Sequence, residues 1–281
     1  MTSFTKQKIA FAILGTLTVI VALPVVLIVG VIVKHGAGAI SWEFLTTAPR
    51  HGMREGGIFP AIVGTFCLVV GAVVCAVPLG VLAAIFLNEY AGESRLTRLI
   101  RLAIINLAGV PSVVYGLFGM ALFVVFFKFG SSILAGSLTL ALMNLPVIIT
   151  ASKEALDAVP QTFREVSLSL GVSKWKTIRH IVLPNAVPGI LTGVILEVSR
   201  AAGETAPILF TVAAFYLPGL PHSVFSQVMA LPSHLFAIAT QIPNISLETR
   251  YGTALVLLAL VFMFNAFAIF LRARLRARRK W

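Results

Sequence analysis

Long apolar stretches separated by short polar segments dominate this chain of 281 residues. A helix that crosses a bilayer needs about 20 predominantly apolar residues. Six stretches meet that requirement, and the predicted spans are residues 9–33, 58–87, 99–127, 133–150, 186–212 and 253–271. The second and third are longer than the minimum, and Pro78 and Pro111 are predicted to bend or tilt them.

Composition supports the same class of protein. The chain is 58% hydrophobic and 11% charged, whereas soluble domains are about 25% charged. The apolar runs are continuous instead of alternating, which favours helices over the strands of a membrane barrel. The predicted fold class is therefore an all-α integral membrane protein with six transmembrane helices. Cys67 and Cys75 lie in one apolar run and are interpreted as small buried hydrophobic residues.

The basic residues set the predicted orientation. With the N-terminus in the cytoplasm, 16 of the 22 Lys and Arg residues fall inside, five fall outside and Arg200 falls within a span. This asymmetry predicts that both termini are cytoplasmic. The net charge of +12 lies beside the spans, which argues against nucleic acid as a partner. The run 9–33 is too long for a signal peptide and is interpreted as an uncleaved first span.

A polar, basic segment at residues 160–184 is predicted to form two short helices on the cytoplasmic side. Pro160 suits a first helical turn, and Gly171 suits the position just past a last one. Ser173 is a candidate N-cap for a second helix over 174–182, which Pro184 is predicted to stop. The apolar positions on one face of that helix are Trp175, Ile178 and Val182. A compact projection of this kind suits a groove on another protein.

Charged residues occur inside the fifth predicted span. Arg200 follows Glu197 by three positions and precedes Glu204 by four, so all three are predicted to share one helix face. A charged side chain at the centre of a membrane helix costs about 2.5–3.5 kcal/mol on insertion scales. Arg200 is therefore predicted to face the bundle interior or a watery path. Two readings remain open: a structural ion pair with Glu204, or a substrate-path or gate arginine.

An arginine suits an oxyanion because its planar fork can bond two oxygens at once. Two carboxylates and one guanidinium nevertheless sum to a charge of −1, which repels an anion. Either a partner chain adds positive charge, or Glu197 and Glu204 hold Arg200 as a gate until the substrate arrives.

Other chemistry is not indicated by the sequence. No Gly-x-x-x-x-Gly-Lys-Ser/Thr segment occurs, so a P-loop nucleotide site is not expected. The five His residues are scattered, no metal-ligand spacing is present, and no set of nucleophile, base and orienting residue is evident. The chain is predicted to be a non-catalytic subunit without a cofactor.

Small residues in the second span predict close helix packing. Gly57, Gly64 and Gly71 recur every seven residues, which places them on one stripe. Asn144, in the fourth span, is interpreted as hydrogen-bonding to another helix.

Five residues of the loop carry a family resemblance. Glu165, Gly171, Ile181, Leu183 and Pro184 stand at the spacing of the cytoplasmic signature of ATP-binding-cassette importer permeases. That signature reads Glu-Ala-Ala, three residues, Gly, nine residues, Ile, any residue, Leu, Pro. The two alanines are replaced here by Val166 and Ser167. The segment 199–207, Ser-Arg-Ala-Ala-Gly-Glu-Thr-Ala-Pro, resembles the A-type permease subunits of bacterial phosphate-specific importers.

The resemblance implies a type I ABC importer permease fold in the bacterial cytoplasmic (inner) membrane. It implies that the five signature residues couple the chain to an ATPase, which hydrolyses ATP on a separate chain. The implied partners are an ATPase dimer, a second homologous permease subunit, an extracytoplasmic phosphate-binding protein and the lipid bilayer. The implied function is ATP-driven import of inorganic phosphate.

The resemblance also implies a division of the chain. Residues 1–57 form the first span and first outer loop, and 58–272 form the permease core with its coupling loop at 160–184. Residues 273–281 form a basic cytoplasmic tail, which is interpreted as an anchor to anionic lipids. Three alternatives remain: the same kind of permease for sulfate or molybdate, a secondary transporter, and a passive anion channel. The last two would have no use for the coupling loop.

Overall fold

Helices form nearly all the regular structure of the computed structural model, which describes residues 3–277. A short antiparallel hairpin pairs β1 (Pro49–Arg50) with β2 (Glu55–Gly56). The α-helices are α1 (Ser3–Gly36), α2 (Trp42–Thr46), α3 (Phe59–Ile85), α4 (Arg95–Ala108), α5 (Ser112–Gly119), α6 (Ile133–Asp157), α7 (Gln161–Ser169), α8 (Lys174–Thr177), α9 (Leu183–Gly203), α10 (Ala206–Thr211), α11 (Leu231–Thr240) and α12 (Leu247–Ala277). Three π-helical turns, at Phe86–Tyr90, Met120–Phe126 and Ile178–Val182, extend α3 and α5 and join α8 to α9.

Within residues 3–277, five helices are long and apolar enough to cross a membrane, and a bent pair supplies a sixth span. The bent pair is α4 and α5 with its π turn, and its axis changes direction by 104° at a break that contains Pro111. Pro111 thus produces the predicted bend, since a proline ring excludes the helical hydrogen bond and crowds the preceding turn. Pro78 lies inside α3, which continues through it. The fifth span also differs from the prediction, because α9 ends at Gly203 and α10 starts again at Ala206.

The predicted stop at Pro184 is wrong. Helical structure runs without interruption from Lys174 to Gly203, through α8, the π turn and α9. Pro184 is the second residue of α9, directly after the π turn, where the wider hydrogen-bonding pattern accommodates a residue without an N–H group. The three residues of the predicted apolar face differ in burial. Ile178 and Val182 are fully buried, but Trp175 is half exposed.

Three buried clusters hold the bundle together at different depths. The outer cluster joins α3, α11 and α12 around Met229, Leu231 and Ile238. The middle cluster joins α3, α6 and α10. The inner cluster joins the end of α3, the end of α6 and the π turn at Ile178–Val182. Its members include Ile85, Leu156 and Ile178. The cytoplasmic loop is thus continuous with the core of the bundle.

The glycine stripe of α3 allows close approach, as predicted, but to three different neighbours. A Cβ at Gly57 would overlap carbonyl oxygens of α2, one at Gly64 the Met229 carbonyl, and one at Gly71 the Ser137 side chain of α6. The expectation for Asn144 is wrong within residues 3–277. This side chain is buried in α6, yet its Oδ1 atom has no hydrogen-bond partner there.

The ends of the chain lie at its periphery. Helix α1 is exposed along most of its length and contacts α12 at its outer end, where Gly36 lies against Tyr251. Helix α12 continues to Ala277, so the predicted tail at 273–281 begins as helix. Arg278, Arg279 and Lys280 lie outside the described residues.

Candidate functional site

The predicted charged site lies at the outer end of α9. Arg200 is in the last turn of that helix, and Glu204 is its C-cap residue, with an extended backbone. The Nε atom of Arg200 donates a hydrogen bond to Glu204 Oε1 at 3.2 Å. The Arg200 side chain is 39% exposed and that of Glu204 is 14% exposed. This bond uses one of five guanidinium N–H donors, so the fork remains able to bind an anion.

Glu197 does not join this pair. It is buried with 4% exposure, and within residues 3–277 its Oε2 atom has no hydrogen-bond partner. No ion pair within 4.0 Å links it to Arg200 in that part of the chain. The structure thus brings together two of the three predicted residues. The spacing of four residues correctly predicts the pairing of Arg200 with Glu204. Glu197 lies on the side of α9 that faces the bundle.

Close packing fixes α9 against α6. A Cβ at Gly189 would lie 2.6 Å from the Ala155 Cβ, and one at Gly193 would overlap the Ala151 side chain. Arg200 follows Gly193 by seven residues, or about two helical turns, and so lies on the same face further out. The face of α9 that contacts α6 at Gly189 and Gly193 therefore also carries the guanidinium, nearer the C-terminal end of the helix.

Helix α12 supports the other side of α9. Ser199, next to Arg200, donates a short hydrogen bond to Asn265 Oδ1. Further in, Arg272 Nη1 donates to Thr192 Oγ1 at 3.2 Å. These two bonds restrain rotation of α9 about its own axis. They therefore fix the side of the helix from which the Arg200 side chain extends.

Both broken spans meet beside the site. Helix α10 packs against α5 at Gly116, where a Cβ would lie 2.8 Å from the Phe210 ring and 3.0 Å from Pro207. The hydroxyl of Tyr115 donates to the Leu107 carbonyl at 2.9 Å, across the break between α4 and α5. Non-helical backbone at membrane depth is tolerated where it is buried in protein or lines a water-filled cavity.

The five signature residues lie on the loop of residues 160–184 and at the start of α9. Glu165 is exposed on α7, and Gly171 adopts a left-handed backbone with φ of +77°. Ile181 is half-buried in the π turn, and Leu183 and Pro184 are half-buried in the first turn of α9. The prediction that Pro160 and Gly171 bound a short helix is confirmed, since α7 follows Pro160 directly and ends before Gly171.

Ser173 occupies the N-cap position of α8, but its side chain makes no capping bond. The two short helices are instead joined by a hydrogen bond of 2.8 Å between the hydroxyls of Ser167 and Thr177. Both residues are buried. The loop is therefore a single internally bonded unit.

An ion pair that the sequence interpretation missed fastens this unit to the bundle. Arg164 Nη2 lies 2.7 Å from Glu89 Oε1, and the Nε atom donates to both carboxylate oxygens at 3.1 and 3.3 Å. The same guanidinium donates to the carbonyls of Val159 and Leu156, each at 2.9 Å. The two partners are separated by 75 positions. The available signal was a lone Glu at the inner boundary of the second span.

Apolar side chains cover the free side of the loop. Val166 is 61% exposed and Leu170 77% exposed, and Leu168 and Trp175 are about half exposed. A polar cavity of about 390 Å³ lies on the bundle side, between the loop and the end of α3. Its lining includes Glu89, Asp157, Gln161, Arg164, Lys174 and Thr177.

Within residues 3–277, no group of three or more His, Cys, Asp or Glu side chains is arranged to hold a metal ion.

A bundle of membrane spans with two broken helices, a guanidinium inside one span and a projecting loop between two spans is typical of a membrane transport subunit. Residues 76–280 match the family of binding-protein-dependent transport system inner membrane components. The chain belongs to that family, and it is a multi-pass inner-membrane permease subunit of an ABC importer.

Curated relatives are similar over nearly the whole chain. The phosphate transport system permease protein PstA 1 of Mycobacterium tuberculosis (strain H37Rv) is 36% identical over 280 residues, covering 98% of this chain and 90% of that protein. A probable ABC transporter permease protein of Bacillus subtilis, YqgI, is 33% identical and covers 92% of each chain.

Solved structures share the fold at low sequence identity. The transporter for the acidic polysaccharide alginate aligns with a TM-score of 0.71 and 13% identity, covering 96% of each chain. The MetNI methionine transporter aligns with a TM-score of 0.60 and 15% identity, covering 78% of this chain and 94% of that one. The fold is that of the type I ABC importer permeases, as the resemblance implied.

Proposed function

We propose that this chain moves inorganic phosphate across the cytoplasmic membrane into the cell, as one permease subunit of an ATP-driven importer. The observation that supports this proposal is the position of the Arg200 guanidinium. It lies in a membrane span, its side chain is 39% exposed, and its Nε atom bonds to Glu204. A charged group in that position faces protein or water in the assembly. The name of the mycobacterial relative, a phosphate transport system permease, supports the choice of anion.

Glu204 serves in this proposal as the gate partner of Arg200. The carboxylate orients the guanidinium and neutralises it while no substrate is present. An arriving phosphate competes for the remaining N–H donors through two of its oxygens, which a planar fork can bond together. Glu197, buried apart from the pair, is not placed in contact with the substrate in this proposal.

ATP hydrolysis takes place on a partner ATPase dimer, which binds the apolar side of the loop. Glu165, Gly171, Ile181, Leu183 and Pro184 position that loop for coupling. A second homologous permease completes the pathway, and a phosphate-binding protein delivers the anion from outside. Both termini face the cytoplasm, and 58–272 is the permease core.

Uptake by cells tests the proposal. Cells that lack their own phosphate importer would express this chain with its three partner proteins and receive labelled phosphate, sulfate or molybdate. We expect uptake of phosphate that depends on every subunit and is not diminished by excess sulfate. Preferred uptake of sulfate or molybdate would assign the permease to another oxyanion. Uptake that persists without the ATPase would indicate a secondary transporter or a channel.

A further inference from the structure

Helix α7 has one main attachment to the membrane bundle. Its buried side chains are Arg164 and Ser167, and Ser167 bonds to Thr177 inside the loop itself. The apolar residues Val166, Leu168 and Leu170 are exposed. The buried polar side chain of α7 that bonds directly to the spans is Arg164.

The Arg164 guanidinium joins three elements at one point. It bonds Glu89 at the end of α3 through two of its nitrogens. It also donates to the Val159 and Leu156 carbonyls at the end of α6. The side chains of Arg164 and Glu89 are 11% and 7% exposed. Charge-assisted, bidentate bonds that are shielded from water are both strong and directional.

We infer that the Glu89–Arg164 pair is the joint through which movement of the cytoplasmic loop is passed to α3 and α6. The two residues are positioning residues: they touch neither substrate nor nucleotide. This inference rests on the proposed function and adds to it a pair outside the five signature residues.

The packing connects this joint to the proposed gate. Helix α6 contacts α3 closely, with Gly80 against Ile148, and it contacts α9 at Gly189 and Gly193. Close-packed helices transmit displacement because their interiors have few voids to absorb it. A push on α7 would move the ends of α3 and α6 together, and α6 would move the face of α9 that carries Arg200.

A weakened joint should separate ATP hydrolysis from transport. Glu89→Gln keeps the shape of the side chain and removes its charge, while the apolar side of the loop stays intact for the ATPase. In the assembled complex in proteoliposomes, we expect ATP turnover within about twofold of wild type and at least a tenfold fall in phosphate accumulated per ATP hydrolysed. Glu89→Asp, which retains the charge on a shorter side chain and so lengthens the pair, should recover part of that ratio and remain clearly below wild type.

A second ion pair on the same side of the bundle provides the control. Glu93 and Arg101 lie 3.1 Å apart, and the Glu93 side chain is 77% exposed. Glu93→Gln should leave the ratio unchanged. The wild-type complex tests the proposed function by itself, since absence of ATP-driven phosphate accumulation there would reject it.

The comparison of variants tests the joint. A wild-type ratio of phosphate to ATP in Glu89→Gln would overturn the inference. If Glu89→Gln does not assemble, Glu89→Asp decides: a ratio equal to wild type, with normal assembly and a lengthened pair, would also overturn it.

Discussion

Substitution of Arg200 separates a structural role from a role in anion passage. The pair with Glu204 is partly open to solvent, since the arginine side chain is 39% exposed. Partly exposed ion pairs of this kind contribute about 0.2–1 kcal/mol to stability. Arg200→Gln should therefore lower the amount of assembled complex only slightly. Hydrogen bonds from a charged donor to an anion contribute about 1.5–3 kcal/mol. A loss of about 2 kcal/mol at the transport barrier slows uptake about 30-fold.

Arg200→Lys tests the geometry of the bond. A lysine keeps the charge and can still pair with Glu204, but it lacks the planar fork. We expect normal assembly and a fall in phosphate uptake of about tenfold, between wild type and Arg200→Gln. The assay is uptake of labelled phosphate, normalised to assembled complex in the membrane. Arg98→Gln, on the exposed surface of α4, is the control and should be neutral. Uptake by Arg200→Gln within twofold of wild type at equal assembly would refute the role of Arg200 in transport.

Three further substitutions test other parts of the structure. Gly171→Val places a β-branched residue at φ of +77°, which is strained by about 1–2 kcal/mol, and should abolish coupled uptake while the protein still inserts in the membrane; unchanged uptake and ATPase stimulation would contradict this. Gly64→Val should lower the thermal unfolding midpoint in detergent, because its side chain would overlap the Met229 carbonyl, whereas Gly30→Ala, with open space around it, should not. Burial lowers the pKa of His234, outside the membrane-spanning helices, to about 4. This residue stays neutral in the fold while an unfolded His with a pKa near 6.5 binds a proton, so stability is lost as pH falls below that value, by about 2 kcal/mol at pH 5. His234→Gln should remove this part of the acid sensitivity of unfolding, and an unchanged dependence would contradict the assignment.

The parts of the fold that depend on local chemistry could be predicted from the sequence. The length of the apolar stretches predicts the six spans, although the third and fifth are broken helices in the structure. Gly171 was identified because few residues other than glycine adopt a left-handed backbone after a helix. Arg200 and Glu204 were identified because residues four apart on a helix are neighbours.

Features that depend on tertiary structure could not be predicted in this way. Pro184 was expected to end a helix, but the π turn before it changes the local hydrogen bonding. Trp175 and Ile178 belong to the same apolar pattern, yet the packing of the loop buries Ile178 and leaves Trp175 half exposed, a difference that periodicity does not predict. The pairing of Glu89 with Arg164 joins positions 75 residues apart, and helical periodicity carries no information over such a distance.

ATP-driven phosphate accumulation in a defined system tests the central claim most directly. Proteoliposomes would contain this chain, its partner permease and the ATPase dimer, with ATP on the ATPase side and phosphate-binding protein on the opposite side. We predict that labelled phosphate accumulates against its gradient only when ATP and the binding protein are both present, and that Arg200→Gln lowers the rate about 30-fold at equal assembly. Accumulation of sulfate in preference to phosphate, or phosphate flux that continues without ATP, would contradict the account.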